Sequence, residues 1–105
     1  MKKKFKRPRT CQIGGLTYKI RYVVPGRGKL LGKGELGTVC QTDHLIELDT
    51  SMSEQMTLLV LLHEFCHAIG DCIRANKNPF LKEDFTSTVS ELLLQALQSS
   101  GLLST

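Results

Sequence analysis

From Thr17 to Val24 the chain alternates. Tyr18, Ile20, Tyr22 and Val24 fall on one side, and Thr17, Lys19 and Arg21 fall on the other. A period of two over that length predicts a half-buried strand. Gly14-Gly15, just ahead of it, fits the turn of a short hairpin. The stretch "PGRGKLLGKGELG", residues 25 to 37, carries five glycines and one proline, which predicts a loop. A glycine-rich phosphate cradle is a weak reading of it, because no lysine-hydroxyl pair opening a helix follows. β-type patterning then returns in "TVCQTDHLIELDT", where Leu45-Ile46-Glu47-Leu48 is the strongest strand candidate.

After Asp49 the period changes. Ser51 and Glu54 fit an S-x-x-E capping box, and a helix is predicted from about Met52 to the neighbourhood of Arg74. It is apolar on nearly every side and should be buried. "NKNPF" at 76 to 80 breaks the chain. A second helix, from about Leu81 to Ser99, carries Phe85, Val89, Leu92, Leu93, Ala96 and Leu97 at three- and four-residue spacing, with Glu83, Ser87 and Glu91 as a polar stripe. The order β, β, α, α predicts a small α+β domain in which a small twisted sheet covers one side of the long first helix.

Charge divides the chain into residues 1 to 10, a basic tail, and residues 11 to 105, a single domain. The net charge is +4, yet six of the fourteen basic residues lie in "MKKKFKRPR". The other 96 residues carry eight basic against ten acidic, a net of −2. The tail is expected to be a solvated, unstructured leader, with weak nucleic-acid contact through residues 2 to 9 as the functional alternative. It lacks the apolar core of a signal peptide. The longest apolar run, "LLVLL", is far too short to span a membrane, so a cytoplasmic protein is expected. Cys11, Cys40, Cys66 and Cys72 form no CxxC pair and read as reduced thiols, Cys66 pointing away from the nearby histidines.

Within the predicted buried helix stands "HEFCH", residues 63 to 67. His63 and His67, four apart, share one helix face and can reach a single ion at about 2.0–2.1 Å. Glu64 lies about 100° around from His63, too far round to join them easily but able to reach a water on the ion. H-E-x-x-H divides labour in that way: two neutral imidazoles hold zinc, and the carboxylate takes a proton from the water the ion activates. The alternative is a core helix whose histidines bond to backbone carbonyls. Buried histidine and glutamate are costly unless paired, and the metal accounts for both.

The third ligand is less direct. "HAIGDC" follows an H-x-x-G-x-x-H continuation until Ile73 takes the place of the last histidine, and no histidine follows His67. Upstream, His44 reads as a strand or substrate-side residue. Glu83, opening the second helix, is the preferred ligand, because a helical hairpin would bring it beside His63 and His67; Glu91, Asp84 and Asp71 rank below it. Three protein ligands leave a fourth position open, as in catalytic zinc sites.

With these residues placed, residues 30 to 100 resemble the small gluzincins of phage and mobile-element proteins, related to the ImmA/IrrE-type zinc metallopeptidases. In that family a short strand leads into the HExxH helix, as "LIELDTSMSEQMTLLVLLHEFCHAI" does here. A second helix of the form E-x-x-A-N-x-F-A-x-x-L follows, to which "EDFTSTVSELL" is similar. Glu83 takes the ligand position, Thr86 and Ser87 replace the small residue and the asparagine, and Val89-Ser90 replace Phe-Ala. The resemblance implies a minimal zincin-like fold, one zinc ion, a peptide or protein substrate, and the upstream strand, Leu45 to Leu48, as a shelf for an extended peptide. An oxyanion donor is also needed, with Tyr18, Tyr22 and His44 as candidates.

The expected function is zinc-dependent peptide hydrolysis, with Glu64 as general base and His63, His67 and Glu83 as metal ligands. The alternative is a non-catalytic zinc-stabilised module whose tail contacts nucleic acid or a partner protein.

Overall fold

A computed structural model of the chain describes residues 6–72 and 82–99. Four strands, β1 (Thr10–Ile13), β2 (Leu16–Val23), β3 (Gly37–Cys40) and β4 (Leu45–Asp49), precede two helices, α1 (Glu54–Cys72) and α2 (Glu83–Ser99). The strands form one sheet in the order β1-β2-β4-β3, antiparallel at both edges and parallel between β2 and β4. The fold is therefore α+β. The expected break at 76 to 80 and the end of the first helix beyond Cys72 lie outside the described residues.

The alternation read in β2 holds as far as Tyr22, while Val24 lies past the end of the strand and is exposed. Tyr18 and Ile20 are buried against β4 and α1 in a cluster with Ile46, Leu48, Val60, Leu61 and Ala68. Gly14 and Gly15 turn the β1–β2 hairpin with φ of 62° and 80°. Two consecutive left-handed residues are what a two-residue turn between right-twisted strands requires. β4 is buried on both faces, as a central strand should be.

Three local expectations change. Ser53, not Ser51, caps α1: its Oγ accepts the Met56 N–H at 3.1 Å and its carbonyl accepts the first helical bond from Thr57. Ser51 instead donates its N–H and hydroxyl to Asp49 Oδ1, closing the turn after β4. The face of α2 that packs on α1 is Thr86, Ser90 and Leu94, while Phe85, Leu92 and Leu93 are exposed. Small residues let two helices approach closely, and this seam carries little of the hydrophobicity that periodicity detects. Finally, residues 6–10 run against the sheet: Tyr22 donates its hydroxyl to the Pro8 carbonyl, and the Ile20 N–H donates to the Arg9 carbonyl. Residues 6–10, expected to belong to an unstructured tail, thus lie against the sheet.

The glycine-rich loop between β2 and β3 folds over the outer face of β4. Its anchor is Glu47, whose side chain is fully buried. Oε1 accepts the N–H groups of Leu30 (2.6 Å) and Leu31 (2.9 Å), and Oε2 accepts that of Lys29 (3.0 Å). Burial pushes this carboxyl up, but the three backbone donors outweigh it and hold it below the usual carboxylate range. The loop thus cradles an anion, and the anion is the chain's own. Gly28 permits the approach, since a Cβ there would sit 2.8 Å from Glu47 Oε1. Among the described residues, no helix is long and apolar enough to cross a membrane.

Candidate metal centre

His63 and His67 project from one face of α1, and the α1–α2 seam determines what they meet. With Thr86 and Ser90 fully buried and Ser90 Oγ 3.8 Å from Cys66 Sγ, the start of α2 lies against the middle of α1. That packing delivers Glu83 to the histidines. His63 Nε2 is 2.8 Å from Glu83 Oε1, His67 Nε2 is 2.6 Å from the same oxygen, and the two Nε2 atoms are 3.0 Å apart. The rings meet edge to face, with centroids 4.7 Å apart.

Hydrogen bonds alone satisfy such a triangle poorly. Each Nε2 has one site in the ring plane, either a proton or a lone pair. Two imidazoles and one carboxylate oxygen therefore cannot make three good hydrogen bonds along three edges. A cation placed among them faces three lone pairs at once. Ligands ~2.0–2.1 Å from a tetrahedral zinc lie ~3.3 Å from one another, so a small opening of the triangle accommodates the ion. Two nitrogens and a carboxylate oxygen are also a donor set that zinc accepts. Among the described residues, these three form the group able to hold a metal. Glu91, Asp84, Asp71 and His44 are not in it.

The surroundings brace the site. Ser87 Oγ lies 3.5 Å from His63 Nδ1, one turn after Glu83. A metal-ligating histidine usually has its second nitrogen beside a polar partner, the place that Ser87 takes here. Partial burial pushes the Glu83 carboxyl up, but hydrogen bonds from both imidazoles outweigh it and keep the group below the usual range, favouring its anionic form.

Glu64 is 5% exposed and lies under β3. Burial pushes its carboxyl up to about 7, with His67 pulling it down and Glu83 and Glu35 adding to the rise. Gly37 makes this position possible. A Cβ there would meet Val60 Cγ1 at 2.6 Å, Leu48 Cδ2 at 2.8 Å and Glu64 Cγ at 3.3 Å.

His63, Glu64, His67 and Glu83 open into a cleft of about 380 Å³, whose other wall is Gly37, Thr38 and Val39 of β3, with Asp71 at one end. This corrects the expected shelf. Leu45 to Leu48 lie in β4, which is hydrogen-bonded on both sides, so no peptide can add to it. β3 is the edge strand beside the cleft. The bond from the Asp49 N–H to the Leu36 carbonyl (2.9 Å) sets the phase of the β3–β4 ladder. With Gly37 opposite Leu48 and Val39 opposite Ile46, the backbone groups of Gly37 and Val39 point away from β4, to an edge that no strand among the described residues covers. Sequence patterning missed β3 as a separate strand because it is only four residues long and each of them is half-buried.

None of the three expected oxyanion donors lines the cleft. Tyr18 is fully buried with its ring 5.5 Å from that of His44. Tyr22 is committed to Pro8 and lies under the Arg7 guanidinium, and His44 faces a different depression, beside Lys19 and Lys29. No protein-family model, curated protein or solved structure matches this chain.

Proposed function

We propose that this protein is a zinc-dependent peptidase of the gluzincin type, similar to the ImmA/IrrE-type enzymes and acting in the cytoplasm. The observation that carries the reading is the convergence of His63, His67 and Glu83 beside a buried Glu64, in a cleft bounded by an open sheet edge. His63, His67 and Glu83 hold the ion, and Ser87 orients His63. A bound zinc supplies a water of lowered pKa and polarises the scissile carbonyl.

The chain's own residues account for the rest. An extended peptide adds to β3 through the free backbone groups of Gly37 and Val39, which fixes its direction and brings one peptide bond over the cleft. Glu64 accepts the proton of the attacking water and returns it to the leaving amine. Its burial in the cleft wall, which raises the carboxyl's affinity for a proton, suits it to carry that proton from one step to the next. Among the described residues no fourth protein ligand joins His63, His67 and Glu83, which favours the catalytic reading over the non-catalytic module.

The test is digestion of a mixture of unstructured peptides, read by mass spectrometry. Zinc-loaded protein should produce fragments, a chelator should stop the reaction, and added zinc should restore it. Intact peptides with fully zinc-loaded protein would contradict the proposal.

A further inference from the structure

One carboxylate of the cleft has no task in hydrolysis. Glu83 is held by both histidines, and Glu64 is the proposed base. Asp71, exposed near the end of α1, lines the same cleft, and among the described residues its side chain makes no hydrogen bond or ion pair. It follows His67 by four residues and so shares its face of the helix.

The sheet register shows what such a carboxylate meets. Leu48 and Ile46 belong to the core beneath α1, so Gly37 and Val39, opposite them, lie on the α1 side of β3, while Thr38 lies on the other side with Glu47. α1 and β3 also run in the same direction. Gly37, at the start of β3, approaches Val60 and Glu64. Cys72, at the end of α1, approaches Gly14, at the end of the sheet where β3 finishes. A peptide added to this edge alternates as β3 does, every second side chain turning towards α1. Two residues of strand advance about 6.4–6.8 Å, and the four residues from His67 to Asp71 rise about 6 Å. A side chain one alternation beyond the metal centre therefore arrives at Asp71.

The cleft wall holds Glu64, Asp71 and Glu83 but no lysine or arginine, and neither helix carries one. Glu35, in the loop entering β3, adds to the negative field at Glu64. A dication at the centre is met by Glu83 and Glu64, which leaves the charge of Asp71 unanswered.

We propose that Asp71 gives the site a preference for peptides with lysine or arginine within two residues of the cut. This preference rests on the peptidase reading above and names its substrate class. A cationic side chain laid beside Val39 forms a charge-assisted hydrogen bond to Asp71, whereas an acidic one is repelled by the carboxylates of the cleft.

The test uses zinc-loaded Glu64→Gln protein, which binds without turnover, and two fluorescein-labelled decapeptides. One alternates threonine with lysine, the other threonine with glutamate, so that one register places the charged residues on the α1 side. Fluorescence anisotropy at physiological ionic strength should show the lysine peptide bound at least ~10-fold more tightly. Adding Asp71→Asn should shrink that ratio ~3–5-fold, the weight of one exposed pair, and Asp71→Lys should shrink it further. Thermal unfolding confirms that the variants are folded, and either variant serves alone. Equal affinity for the two peptides, no binding of either, or a ratio unchanged by both substitutions would overturn the proposal. Digestion by the wild-type protein separates the two readings. Cuts made without regard to lysine or arginine contradict this preference alone, whereas lysine-peptide binding without any cleavage contradicts the peptidase reading alone.

Discussion

Glu64→Gln is expected to keep one zinc ion per chain while lowering peptide hydrolysis by ~10²–10⁴-fold, the usual contribution of a general base. The glutamine is nearly isosteric and remains under Gly37, so the packing between Val60, Leu48 and β3 is preserved. Because Glu64 is not one of the three converging ligands, metal affinity should change little. What disappears is the proton acceptor. The loss should fall on kcat more than on KM, since peptide docking on β3 does not use this carboxylate. Hydrolysis at the wild-type rate would place the base elsewhere; loss of zinc together with activity would mean that Glu64 shapes the metal site rather than serving the reaction.

The second large effect concerns stability. Glu47→Ala should cost on the order of 3 kcal/mol, because it removes the shared acceptor of three backbone N–H groups, that of Leu31 buried and those of Lys29 and Leu30 partly buried. That is a large fraction of what holds a domain of this size together. Glu47→Gln keeps an acceptor but loses its charge, and should cost ~1–2 kcal/mol. The pH dependence follows from the direction of the shift. Glu47 is held below its unfolded value, so its contribution is complete above about pH 4.3 and is lost as pH falls through the lower, folded value. Urea unfolding at neutral and acidic pH checks both points. Wild type should lose stability on acidification, and Glu47→Gln should lack that part of the slope. Equal stability of Glu47→Ala and wild type would remove the anchor role.

The contrast between Glu64 and Glu47 shows what the sequence could reveal. HExxH is legible because its spacing is set by one helix: residues four apart must share a face wherever the helix packs. β2 and β4 are legible for a similar reason, since alternation and a compact apolar run record burial locally. Glu83 needed the further assumption of a helical hairpin. The seam that forms the hairpin rests on Thr86 and Ser90, whose virtue is small size, so the apolar residues Phe85, Leu92 and Leu93 pointed to the wrong face.

Glu47 was visible only as one polar residue in a strand. Its partners are backbone groups 16 to 18 residues away, which leave no mark on residue type. A glycine-rich loop preceding a strand that holds a lone carboxylate is the one signal that could have suggested it. The edge position of β3 was equally hidden, because it follows from β2 and β4 pairing in parallel across the loop, a matter of topology rather than pattern.

The most direct measurement is the zinc content of protein purified without added metal, for wild type and Glu83→Ala. One zinc per wild-type chain is expected, and zinc well below stoichiometry in the variant after the same purification, because two histidines alone bind the ion weakly. A folded wild-type protein that takes up no zinc even when titrated with it, or a Glu83→Ala variant that keeps a full equivalent, would contradict the site as described.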